Sequence, residues 1–88
     1  MSSEKIALIG AGSLQFGLGA VGSILDSEVL RGATICLHDI REEALDLTYK
    51  ACESAINSRH ADNTLESTTD RKKALKNASF IINSNRGS

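Results

Sequence analysis

Apolar and polar positions follow two rhythms along this chain, and the switches between them mark its elements. Lys5–Ile9 is a run that stays apolar up to a glycine, the pattern of a strand buried on both faces. Ser13–Leu25 reads as a helix, although Gly17, Gly19 and Gly22 interrupt it, so packing must support it. Ala33–His38 is a second buried strand. From Glu42 to about Arg59 the pattern becomes amphipathic: Leu45, Thr48, Tyr49, Cys52 and Ile56 fall on one helical face, with charges opposite. Thr64–Thr69 is a weaker, β-branched strand, and Asp70 is placed to cap a short helix over Arg71 to Lys76. Ser79–Asn83 reads as a final buried strand.

Strands alternating with helices predict an α/β fold: a Rossmann-like parallel sheet of about four strands with right-handed crossovers, the first half of a doubly wound fold. The 88 residues allow one domain, expected to be a partial dinucleotide-binding domain over 1–88 with no catalytic domain beside it. Aromatics are only 3 % and tryptophan is absent, so the core has to be aliphatic.

Charge narrows the partners. Ten basic against eleven acidic residues give a net charge of −1, which leaves no basic surface for a nucleic-acid backbone. The cluster Arg71-Lys72-Lys73 with Lys76 reads as a solvated helix face. The polar start and the short apolar run behind it resemble neither a signal peptide nor a membrane span, so a cytoplasmic location is expected. Cys36 and Cys52 match no metal or redox spacing and are expected to be buried apolar residues. Cys36-x-His38-Asp39 and His60-x-Asp62 are loose metal-ligand patterns only, and no nucleophile–base set can be assembled. No catalytic residue and no metal ligand is therefore assigned.

The chemistry sits at the first strand-to-helix turn, Gly10-Ala11-Gly12-Ser13. Gly10 permits the tight turn, Gly12 removes a Cβ that would block a pyrophosphate, and the helix behind Ser13 points free amides and its positive end at the phosphates. Gln15 stands where the third glycine of the dinucleotide fingerprint is usual. Asp39 ends the second strand, 24 residues beyond Gln15, where a carboxylate accepts from ribose hydroxyls and disfavours a 2′-phosphate. That favours NAD over NADP, with Arg41 as the opposing signal. Asp39 could instead be a helix N-terminal cap. A nucleotide-hydrolase phosphate loop is excluded, because Leu18-Gly19 stands where Lys-Ser/Thr is required.

Several stretches together resemble one family. Lys5 to Ser13 with Phe16, His38-Asp39-Ile40, Ala44-Leu45-Asp46-Leu47-Thr48, and Thr68 to Leu75 with Phe80-Ile81-Ile82-Asn83 are similar to the opening of the family-4 glycoside hydrolases. That family comprises NAD- and manganese-dependent α-glucosidases, α-galactosidases and 6-phospho-glycosidases. The resemblance implies that NAD takes a hydride from sugar C3 and acidifies the C2 proton. The glycosidic leaving group is then eliminated from C1, water adds there and the hydride returns, outside the usual two-carboxylate scheme. It implies manganese on the sugar hydroxyls, with the metal ligands and the acid and base all beyond position 88. The fragment alone is expected to be inactive.

Gly10, Gly12, Ser13, Asp39 and Asn83 carry over as cofactor-side positions; Leu14, Gln15, Ile40 and Arg41 flank them and complete the candidate site. Two other functions stay open: part of a malate- or lactate-dehydrogenase-like oxidoreductase, or a non-catalytic module that self-associates through an exposed sheet edge. A homo-oligomer is expected.

Overall fold

The computed structural model describes residues 4–84. Seven elements follow in order: β1 (Lys5–Ile9), α1 (Leu14–Leu25), β2 (Thr34–His38), α2 (Glu42–Ser58), β3 (Thr64–Thr68), α3 (Arg71–Leu75) and β4 (Phe80–Asn83). Each expected element is present, with ends moved by a residue or so. Ser13, for instance, stands just outside α1 as its cap.

The four strands form one parallel sheet in the order β3-β2-β1-β4. The α/β Rossmann-like arrangement expected from the pattern is thus the observed one. Two crossovers run one way from β1 and the third runs back past it. The crevice at the carboxyl ends of β1 and β4 is therefore the topological switch point, where ligands of open α/β sheets bind.

The core divides by face. Ile6, Leu8, Ile35 and Leu37 point towards α1 and α2, where they meet Val21, Ile24, Leu45, Cys52 and Ile56. Alternate residues Ala7, Ile9 and Cys36 point the other way, onto Ala74 of α3. Strands buried on both sides can be apolar throughout, as β1 and β2 are. Both cysteines are free and buried, in separate clusters on opposite faces. Burial pushes the Cys52 thiol up to about 11.

One expectation is corrected. Ser79–Asn83 reads as a buried strand, yet every residue of β4 is exposed, Phe80 by 49 % and Ile81 by 51 %. Hydrophobicity shows that a strand is built for burial, but here β4 pairs only with β1, and α3 lies over Ala7 and Cys36 instead. The opposite edge, β3, is polar and carries Glu66, Ser67 and Thr68.

The helical glycines also differ from one another. Only Gly17 is tightly packed: a Cβ there would overlap Thr48 Cγ2 of α2 and lie 3.5 Å from the Ala11 carbonyl oxygen. Gly19 and Gly22 have nothing within 4 Å of such a Cβ. Close packing supports this helix at one position, and against α2.

Candidate functional site

The turn after β1 is built from both ends. Gly10 has φ +89°, a left-handed conformation that L side chains avoid, and a Cβ on it would lie 2.9 Å from Ser84 Cβ. The amides of Gly10 and Ala11 both donate to the His38 carbonyl, at 2.9 and 2.8 Å. The Ser84 amide donates 2.9 Å to the carbonyl of Ile9. The turn is thereby tied to the ends of β2 and β4 at once.

Asp39 fixes the next step. It is 5 % exposed, and its Oδ2 accepts from the Gly12 amide at 2.8 Å. Arg41 supplies the other donors: its amide and Nε reach Oδ1 at 2.9 and 3.2 Å, and Nη2 reaches Oδ2 at 3.4 Å. Burial alone would raise this carboxyl. The Arg41 side chain, the Arg41 and Gly12 amides and the guanidinium charge outweigh it and hold Asp39 below its ordinary value. Asp39 does not cap α2; Arg41 occupies that position, and its side chain makes no cap hydrogen bond.

Gly12 is glycine for a reason visible in these contacts. A Cβ there would lie 2.5 Å from Asp39 Oδ2 and 2.9 Å from Arg41 Nη2. The small residue lets the acidic strand end close on the turn, in addition to any room it leaves for a ligand.

Ser13 caps α1, its hydroxyl accepting from the Phe16 amide at 3.4 Å. No acidic residue lies in the first turn of α1, whereas α2 carries Glu42 and Glu43 there. The two helix starts thus differ: α2 carries its own acidic residues, whereas the carboxylate beside the α1 start is Asp39, from the end of β2. That end opens on a cavity of about 350 Å³ lined by Gly10, Gly12, Ser13, Arg41 and Ser84.

Of the nine candidate residues, Gly10, Gly12, Ser13 and Arg41 line this cavity, and Asp39 braces it from behind. Leu14, Gln15 and Ile40 are exposed beside it, and Asn83 pairs with Ile9 at the end of β4 without lining it. Ser84 was not among the candidates. Its signal was its place, one residue past β4 and opposite the first glycine of the turn. Gln15 is exposed where the usual third glycine would pack the helix, and Gly17 makes the close helix contact two positions later.

Cys36 is buried with His38 on the α3 face of β2. Neither His38 ring nitrogen has a partner among the described residues, although its carbonyl anchors the glycine turn. Among the described residues no three His, Cys, Asp or Glu side chains converge as a metal set. No described helix is long and apolar enough to cross a membrane. A second cleft of about 210 Å³ lies at the opposite end of the sheet, where Arg59 pairs with Asp26 among side chains of both signs.

A parallel sheet with a glycine turn opening on an α-helix at its switch point defines a Rossmann-like α/β protein. The family model described as "Family 4 glycosyl hydrolase" matches residues 5–87, and the chain belongs to that family. It is 44 % identical over 80 residues to an alpha-glucosidase of Erwinia rhapontici, covering 91 % of this chain and 18 % of that protein. It is 35 % identical over 82 residues to an alpha-galactosidase of Rhizobium meliloti (strain 1021), covering 93 % and 17 %. An alpha-galactosidase of Bacillus subtilis (strain 168) is 35 % identical over 80 residues, covering 91 % and 18 %. The chain thus spans less than a fifth of the length of these relatives.

Proposed function

We propose that these residues form the NAD-binding part of a family-4 glycosidase, with the dinucleotide pyrophosphate on the Gly10–Ser13 turn. The observation that carries this is the start of α1: its first turn holds no acidic residue, and it opens on a cavity whose lining has no acidic side chain. Gly10 and Gly12 present bare backbone, Ser13 keeps a hydroxyl proton to donate, and Arg41 adds a cation. Bound NAD would supply reversible hydride acceptance from the sugar, in the cytoplasmic setting expected from the sequence.

This chain's residues would bind and orient that cofactor. The His38 carbonyl takes the Gly10 and Ala11 amides and the Asp39 carboxylate takes the Gly12 amide, which holds the turn in shape and leaves its glycine backbone and the start of α1 to meet a phosphate. Manganese and the residues that handle protons belong, on this proposal, to parts of the family outside residues 1–88. Family membership favours the glycosidase over the dehydrogenase alternative. Titration calorimetry of the chain with NAD tests the proposal: saturable binding that Gly12→Ala abolishes is expected. No heat and no change in melting temperature at millimolar NAD would overturn it.

The exposed apolar strand β4 favours a second element of the proposal, association of the chain with a copy of itself.

A further inference from the structure

The Asp39 carboxylate offers about four acceptor sites. Oδ1 receives the Arg41 amide and Nε, and Oδ2 receives the Gly12 amide and Arg41 Nη2. Every site is taken by the protein. A ribose 2′-hydroxyl arriving here would have to displace an arginine to find an acceptor. The Asp39 side chain is also only 7 % exposed and faces a guanidinium, so little negative charge is presented to a ligand.

Arg41 is placed differently. Its side chain is 63 % exposed, it lines the cavity at the glycine turn, and its Nη2 lies 2.9 Å from where a Gly12 Cβ would be. Nε and Nη2 are turned towards Asp39, while the side chain as a whole stays open at the cavity, where an oxyanion could meet it. An arginine beside the acidic strand end is the feature that accommodates the 2′-phosphate in NADP-binding Rossmann proteins.

We propose that Arg41, rather than Asp39, meets the ribose 2′ position, so that the site admits a 2′-phosphate and takes NADP as well as NAD. The inference rests on the dinucleotide function proposed above. Asp39 then serves as a brace: it holds Gly12 on one side and steers the guanidinium on the other. An Arg–phosphate contact is charge-assisted and geometrically matched, and it compensates the desolvation that a 2′-phosphate brings.

The test is calorimetric titration of the full chain with NAD and with NADP, repeated on Arg41→Ala and Arg41→Lys, with circular dichroism confirming the fold of each. NADP is expected to bind within about tenfold of NAD, because one charge-assisted contact balances the cost of the extra phosphate. Arg41→Ala should weaken NADP by about tenfold or more beyond any loss of NAD affinity, so that the NAD/NADP ratio rises by that factor. Arg41→Lys should retain part of the NADP affinity. Binding of NAD with NADP excluded, or an NAD/NADP ratio unmoved by Arg41→Ala, overturns this inference and leaves the dinucleotide function standing. Binding of neither dinucleotide removes both.

Discussion

The Gly12 amide donates to Asp39 Oδ2 at 2.8 Å, across 27 residues of sequence, and this bond joins the glycine turn to the end of β2. The absence of a Cβ on Gly12 is what allows it, since that atom would lie 2.7 Å from the Asp39 carboxyl carbon. Gly12→Ala must push Asp39 away and unseat Arg41 with it. Overpacking of this kind costs about 1–3 kcal/mol, and the loss should appear as a lower urea midpoint with an unchanged m-value. The same variant should lose dinucleotide binding. A midpoint equal to that of the parent chain would show that the turn relaxes without cost.

The depressed Asp39 carboxyl gives stability a definite pH dependence. Because the folded value lies below the unfolded one, the contribution is complete above the ordinary carboxylate value of about 4 and disappears as pH falls below it. Asp39→Asn removes the charge and leaves a single acceptor oxygen. At pH 7 it should be less stable by about 1–3 kcal/mol. Thermal melts of both proteins between pH 3 and 7 check this, and their difference should narrow on the acid side. A difference that stays constant across that range would show that the charge of Asp39 is not what holds the turn.

Much of this arrangement can be read from the chain, for physical reasons. Strand and helix periods are local, so β1, β2 and α2 follow from runs such as Ile6–Ile9 and from the spacing of Leu45, Cys52 and Ile56. Gly10, Gly12 and Asp39 stand out because residue type and strand end constrain one another there. Two things are not local. Whether the Asp39 lone pairs face a ligand or the protein depends on how Arg41 folds back, which no spacing specifies. Burial of β4 depends on what lies beside it, and Ile81 and Ile82 look the same in sequence whether covered or open.

Glycines within one helix should respond in opposite directions. Gly17→Ala drives a methyl into Thr48 Cγ2, inside a buried helix–helix contact, and should destabilise by about 1–3 kcal/mol despite its better helix propensity. Thr48→Ser removes that methyl but keeps the hydroxyl that donates 3.2 Å to the Ala44 carbonyl, so the double variant should recover most of the loss. Gly19→Ala and Gly22→Ala meet nothing within 4 Å and should each stabilise by up to ~1 kcal/mol. Denaturant titration of the four variants separates the two cases. Equal effects at positions 17 and 19 would mean that Gly17 is not a packing position.

The exposed β4 should govern association. Phe80, Ile81 and Ile82 line an apolar groove of about 290 Å³ with Ile6, Ile24 and Leu30, and Ile81 pairs with Ala7 in the sheet. An edge strand without a charge, apolar on both faces, is a template for another chain, whereas Glu66 blunts the opposite edge. The chain is therefore expected to associate with itself increasingly as its concentration rises through the micromolar range. Ile81→Lys, at a position already half exposed, should change stability by no more than ~0.5 kcal/mol and shift sedimentation towards the monomer. A lysine in place of Glu66 should leave association unchanged, because that edge is already polar. Sedimentation velocity across a hundredfold concentration range, roughly 1–100 µM, covers the regime in which weak edge contacts form. A monomer throughout, or an Ile81→Lys variant that associates like its parent, would show that β4 is not the contact.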